Sequence, residues 1–158
     1  IKYNIIYMTI AVDFDGTIVE EAYPQIGKPI PFAIDVLKKL IYEDYHHVIL
    51  WTVREGALLE EAVQYCRQRG VEFYAVNKLH PDLPDEYCSR KIAVDIFIDD
   101  RSLGGLPEWG LIYRMIKNNE SWHKYFFDTV IYKIDKNIFI KDYKSYLQEY
   151  FHKNHTKQ

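Results

Sequence analysis

Four carboxylates in this sequence stand where apolar runs stop. IAVDFDGT (residues 10–17) closes on Asp13 and Asp15, and KIAVDIFIDDR (residues 91–101) closes on Asp99, Asp100 and Arg101. Gathered without compensation, such a group would repel itself and lose hydration, at a cost of roughly several kcal/mol. A divalent cation removes that cost. Hard oxygen ligands in small number suit Mg²⁺, which keeps several waters and accepts phosphate oxygens. One carboxylate is then free to act as a nucleophile on phosphorus, and another can shuttle a proton. A third run, VILWTVR (residues 48–54), contributes Thr52, whose hydroxyl can donate to a phosphoryl oxygen, while Lys91 can bring an ammonium group to the phosphate and the nucleophile. Gly16 lets the backbone turn where its amides approach an anion, and it is assigned with Thr17 to substrate contact. Arg54 and Arg101 are candidate phosphate ligands, with solvated ion pairs as the competing reading.

These residues meet only if their runs are strands of one parallel sheet, because ligands of open α/β sheets collect beyond the carboxyl ends of the strands. The pattern along the chain predicts that sheet. Strands are expected at residues 8–12, 48–51, 71–76 and 92–98. Between them, Pro31 opens a helix with Phe32, Val36, Leu37, Leu40 and Ile41 on one face. Leu58, Leu59, Ala62, Val63 and Cys66 form the stripe of a second helix that Gly70 ends, and residues 108–116 make a third behind Pro107. The expected division is a main domain over residues 1–120 and an extension over 121–158, rich in Tyr and Lys, with a hairpin near residues 127–140 and a helix near 143–151. No chemistry is assigned to it.

A length of 158 residues suits one domain with a full core. The formal charge of -3 gives no general attraction to nucleic acid or anionic membrane, so phosphates would have to be held locally. Two cysteines, Cys66 and Cys88, are too few for a disulfide framework, and no apolar run spans a bilayer; the cytoplasm is the expected compartment. IKYNIIY, ahead of Met8, reads as an upstream extension. The histidines lack metal-binding spacing, except that His152 and His155 could trap zinc; a polar disordered end is the stronger reading there.

DFDGT after an apolar strand, a later strand ending in Thr, a downstream Lys and a strand ending in Asp-Asp resemble motifs one to four of the haloacid dehalogenase superfamily. The resemblance covers about residues 9–117, and ILWTVREG, SRKIAVDIFIDDR and LGGLPEWG are similar to a group of small bacterial hydrolases within it. It implies a Rossmann-like three-layer sandwich with strand order 5-4-1-2-3. A small flap would follow Gly16, and there is no large cap. It further implies that Asp13 forms an aspartyl-phosphate, that Asp15 protonates the leaving oxygen and later activates water, and that Mg²⁺ is bound by Asp13, the Asp15 carbonyl and Asp99, with Asp100 adjoining. Lys91 is the favoured motif-three lysine and Lys78 the alternative. The expected substrate is a phosphomonoester, a small molecule rather than a macromolecule. Against this stand two other classes, a receiver-like phosphoacceptor domain and a silent Mg²⁺-binding scaffold. Chain order opposes the receiver, because here Thr precedes Lys and the second acidic pair comes last.

Overall fold

In the computed structural model, which describes residues 7–87 and 91–125, the apolar runs form a four-stranded, all-parallel sheet. β1 (Thr9–Val12) and β2 (His47–Leu50) pair in register, Val12 opposite Leu50, and β4 (Ile96–Ile98) lies on the other side of β1, with Ile98 opposite Val12. β3 (Ala75–Val76) is the edge beyond β2, so the order is β3-β2-β1-β4. Helices α1 (Ala33–Lys38), α2 (Gly56–Arg67) and α3 (Trp109–Lys117) flank it in a Rossmann-like three-layer α/β sandwich. That is the expected order without its fifth strand, which is not among the described residues; neither is a large cap. Ile10, Ala11, Val12, Val48, Ile49 and Leu50 are all buried, as β-branched and aliphatic residues covered on both faces of a parallel sheet should be.

Both outer strands are shorter than their apolar runs, for a local reason. The Val71 amide donates to the Cys66 carbonyl at the end of α2, and the Glu72 amide to the Tyr42 hydroxyl, so neither is left for the ladder. At β4 the Asp95 carboxylate accepts from the Thr9 amide at 2.8 Å, replacing a ladder bond with a side chain, while Ile92 still reaches the cluster of Ala11, Ile49 and Ala75. Phe32 departs from expectation. It precedes α1 in a left-handed conformation (φ 65°) and is exposed, and the buried stripe is Ala33, Val36, Leu37 and Leu40, the last in a π-helical turn (Lys39–Glu43). α2 buries Ala62 and Cys66 fully.

The chain divides into two compact units, residues 1–113 and 114–158. α3 crosses it, and in the second unit a short α4 (Trp122–Tyr125) follows. The hairpin and helix expected after residue 126, the His152/His155 pair, and Cys88 lie outside the described residues. No helix among the described residues is long and apolar enough to cross a membrane.

Candidate metal centre

Register brings the acids together. Val12 pairs with Ile98, so the next residues along, Asp13 and Asp99, emerge side by side at the carboxyl edge, and the Asp13 amide donates to the Ile98 carbonyl at 3.0 Å. Asp13, Asp99 and Asp100 each offer a carboxylate oxygen, all within 4.8 Å of one another. The Asp13 carboxyl is pushed up from 3.8 to about 6: burial is the largest cause, a hydrogen bond from the Phe14 amide opposes it, and the charges of Asp99, Asp100 and Asp15 add to it. Asp100 is held by its own amide, which donates to Thr17 Oγ1 at 3.1 Å, and its Oδ1 is buried with no hydrogen-bond partner. A buried carboxyl oxygen left without a partner beside two more carboxyl groups is a donor set that could hold a hard divalent cation.

The DFDGT turn is built around that carboxylate. Gly16 has φ +78°, and a Cβ there would collide with the Asp100 carboxylate. Thr17 and Ile18 amides fold back onto the Phe14 carbonyl, and Trp109 at the start of α3 donates its indole Nε1 to the Thr17 carbonyl at 3.0 Å. Thr17 is therefore buried scaffolding. Its assignment to substrate contact is corrected: its hydroxyl accepts from Asp100 and its carbonyl from Trp109. A hydrogen bond from an indole leaves no mark in residue spacing, so the sequence carries no signal of this contact.

Arg54 also takes another place than expected. Neither a phosphate ligand nor half of a solvated pair, it is 0% exposed and grips both oxygens of Asp15, Nε at 2.7 Å from Oδ2 and Nη2 at 2.6 Å from Oδ1. Two further donors reach the Pro24 and Gln25 carbonyls at 3.0 and 2.8 Å, and its Cζ lies 5.1 and 5.4 Å from the ring centroids of Phe14 and Tyr23. The hydrogen bond to Asp15 raises the guanidinium pKa against the opposing effect of burial. Asp15, which burial would otherwise strand, is thus compensated and stands apart from the three-carboxylate cluster.

The segment held by Arg54 is the flap. Its two arms meet where the Glu20 amide donates to the Lys28 carbonyl and the Ile30 amide to the Ile18 carbonyl, and Gly27 passes so close to the Glu20 carbonyl that a Cβ would not fit. Beneath it a cavity of about 670 Å³ is lined by Asp13, Asp15 and Asp99, by Thr52 and Asn77 beyond β2 and β3, and by Glu21, Tyr23, Trp51, Val53 and Arg101. Thr52 is in the expected position; its amide donates to Asn77 Oδ1 at 2.8 Å, and its hydroxyl oxygen accepts from the Arg54 amide at 3.3 Å. Arg101 is at the rim, 3.6 Å from Glu21. Neither candidate lysine is among the residues lining the cavity: Lys91 is exposed ahead of β4, and Lys78 follows Asn77 at the carboxyl end of β3, with Nζ 3.5 Å from the Leu83 carbonyl.

No protein-family model and no curated protein matches the chain. The solved structure of a conserved protein from Bacteroides thetaiotaomicron superposes with a TM-score of 0.71 at 55% identity, covering 77% of this chain and 98% of that one. With more than half the residues shared over nearly the whole of the other protein, this chain belongs to the same family as that conserved Bacteroides protein.

Proposed function

We propose that this protein is a Mg²⁺-dependent phosphohydrolase that cleaves a phosphomonoester through an aspartyl-phosphate on Asp13. The observation that carries the reading is the meeting of Asp13 with Asp99 and Asp100 within 4.8 Å at the carboxyl edge of a parallel sheet, one oxygen of Asp100 lacking any partner. An ion held by Asp13, Asp99 and Asp100, with the Asp15 carbonyl as the resemblance implies, would neutralise phosphate charge and orient its oxygens.

The rest falls to side chains. A carboxylate oxygen of Asp13 bonds to phosphorus as the bond from phosphorus to the leaving oxygen breaks. Thr52 donates its hydroxyl to a phosphoryl oxygen. Asp15 lines the same cavity; having first taken a proton from solvent, it can pass that proton to the leaving oxygen, then take one from the water that opens the acyl phosphate and releases inorganic phosphate. To do so it must release one of its two contacts with Arg54. Lys91, with Lys78 as the alternative, would supply the ammonium group, though neither is among the residues lining the cavity.

Hydrolysis of p-nitrophenyl phosphate tests the reading. Turnover should require Mg²⁺, stop on chelation and vanish in Asp13→Asn; metal-independent turnover, or an Asp13→Asn protein as active as wild type, would remove it.

A further inference from the structure

We infer that the cavity takes a nucleoside monophosphate, its base against Trp51 and Tyr23 and its phosphate toward Asp13. The inference rests on the phosphohydrolase reading and names its substrate class.

Two aromatic rings line this cavity, and both are fixed from behind. Trp51 packs on the core cluster of Ala11, Ile49, Ala75 and Ile92. Tyr23 is 52% exposed on the flap, yet its ring lies 5.4 Å from the guanidinium of Arg54, which is itself immobilised by four hydrogen bonds. Rings already held on one side can stack a planar ligand with little further ordering cost. Asn77 supplies an edge to read: Thr52 occupies its Oδ1, which orients the amide, and the Nδ2 group is the donor it can turn to a ring acceptor.

Charge narrows the leaving group further. Asp13, Asp15, Glu21 and Asp99 line the cavity against Arg101, and Arg101 already faces Glu21. Once one phosphate and one divalent ion are in place, the described lining offers no cation committed to a second phosphate. That disfavours diphosphates and the ends of polynucleotides, whose further phosphates would meet carboxylates. A sugar phosphate satisfies the charge but leaves both rings uncovered. The volume of about 670 Å³ suits a ligand of nucleotide size.

The experiment assays wild-type protein with Mg²⁺ on p-nitrophenyl phosphate, AMP, GMP, CMP, UMP, ribose 5-phosphate, ADP and a 5′-phosphorylated oligonucleotide. At least one nucleoside monophosphate should exceed ribose 5-phosphate in kcat/KM by about tenfold or more, the range expected of base stacking. Trp51→Leu should raise KM for that nucleotide about tenfold, and by more than it raises KM for ribose 5-phosphate. Tyr23→Ala, on the exposed flap, should show the same split. Equal use of ribose 5-phosphate, preference for ADP or the oligonucleotide, or equal loss on both substrates in both variants overturns the substrate class. Continued Mg²⁺-dependent hydrolysis of p-nitrophenyl phosphate would then leave the phosphohydrolase reading standing. If none of the phosphates is hydrolysed, that reading fails and takes this inference with it.

Discussion

Replacing Asp13 by Asn should stabilise the metal-free protein at neutral pH while destroying its response to Mg²⁺. The carboxyl of Asp13 is raised to about 6 in the fold, from 3.8, by burial and by Asp99, Asp100 and Asp15. Between those values the native state keeps a proton that the unfolded chain has lost. Its contribution to stability is therefore complete below about 3.8 and is lost as pH rises through about 6. At about 1.4 kcal/mol per tenfold, that displacement corresponds to about 3 kcal/mol. Asp13 is only partly buried, and solvent screening reduces the figure to about 1–2 kcal/mol. Asn keeps the shape and sheds the charge. In chelator, urea unfolding should show the variant ahead of wild type by about 1–2 kcal/mol near pH 7.5, with the gap closing toward pH 4. Millimolar Mg²⁺ should reverse the ranking, because wild type gains stability from binding and the variant has lost a ligand. Equal stability in chelator across the whole range would refute the argument that Asp13 is strained by its neighbours. Equal stabilisation of both proteins by Mg²⁺ would refute the claim that the ion sits on Asp13.

Arg54→Ala should cost about 3–5 kcal/mol, since it strands the buried Asp15 carboxylate; a chemical unfolding curve measures it, and a loss below about 1 kcal/mol would contradict the pairing. Gly16→Ala forces a left-handed alanine against Asp100; thermal melts should show a loss of about 1–2 kcal/mol, and calorimetry a weakened Mg²⁺ affinity. Trp109→Phe keeps the packing and removes the donor to the buried Thr17 carbonyl, for an expected loss of about 1–3 kcal/mol on unfolding in urea. Burial pushes the Cys66 thiol up to about 12, against a smaller opposing effect of Arg69. In a Cys88→Ser background, an alkylating reagent at about pH 8 should leave the native protein unmodified and label it only after unfolding.

The fold class was legible because β-branched runs alternating with 3.6-residue stripes leave few ways to bury both faces of a sheet. Asp13, Asp99 and Asp100 were legible for a related reason. Each ends an apolar run, and parallel strands deliver their last residues to one edge. Thr52 follows the same rule from β2. Arg54, Thr17 and the lysines were not legible in this way. Arg54 was expected either to hold phosphate or to sit in a solvated ion pair; it does pair with an acid, Asp15, but it is enclosed by the flap, whose Pro24 and Gln25 carbonyls lie 30 and 29 residues away in the chain. Thr17 follows Gly16 in the catalytic-looking turn, but Asp100 and Trp109, 83 and 92 residues away, take its polar atoms.

Sequence by itself determined which residues end strands and which stripes turn inward, because those follow from backbone periodicity and side-chain chemistry over a few residues. Tertiary structure alone decided which partner each polar group took. A buried donor or acceptor is satisfied by whatever the folded chain brings within about 3 Å, and at Asp15 that was an arginine 39 residues away, a distance over which local pattern carries no information.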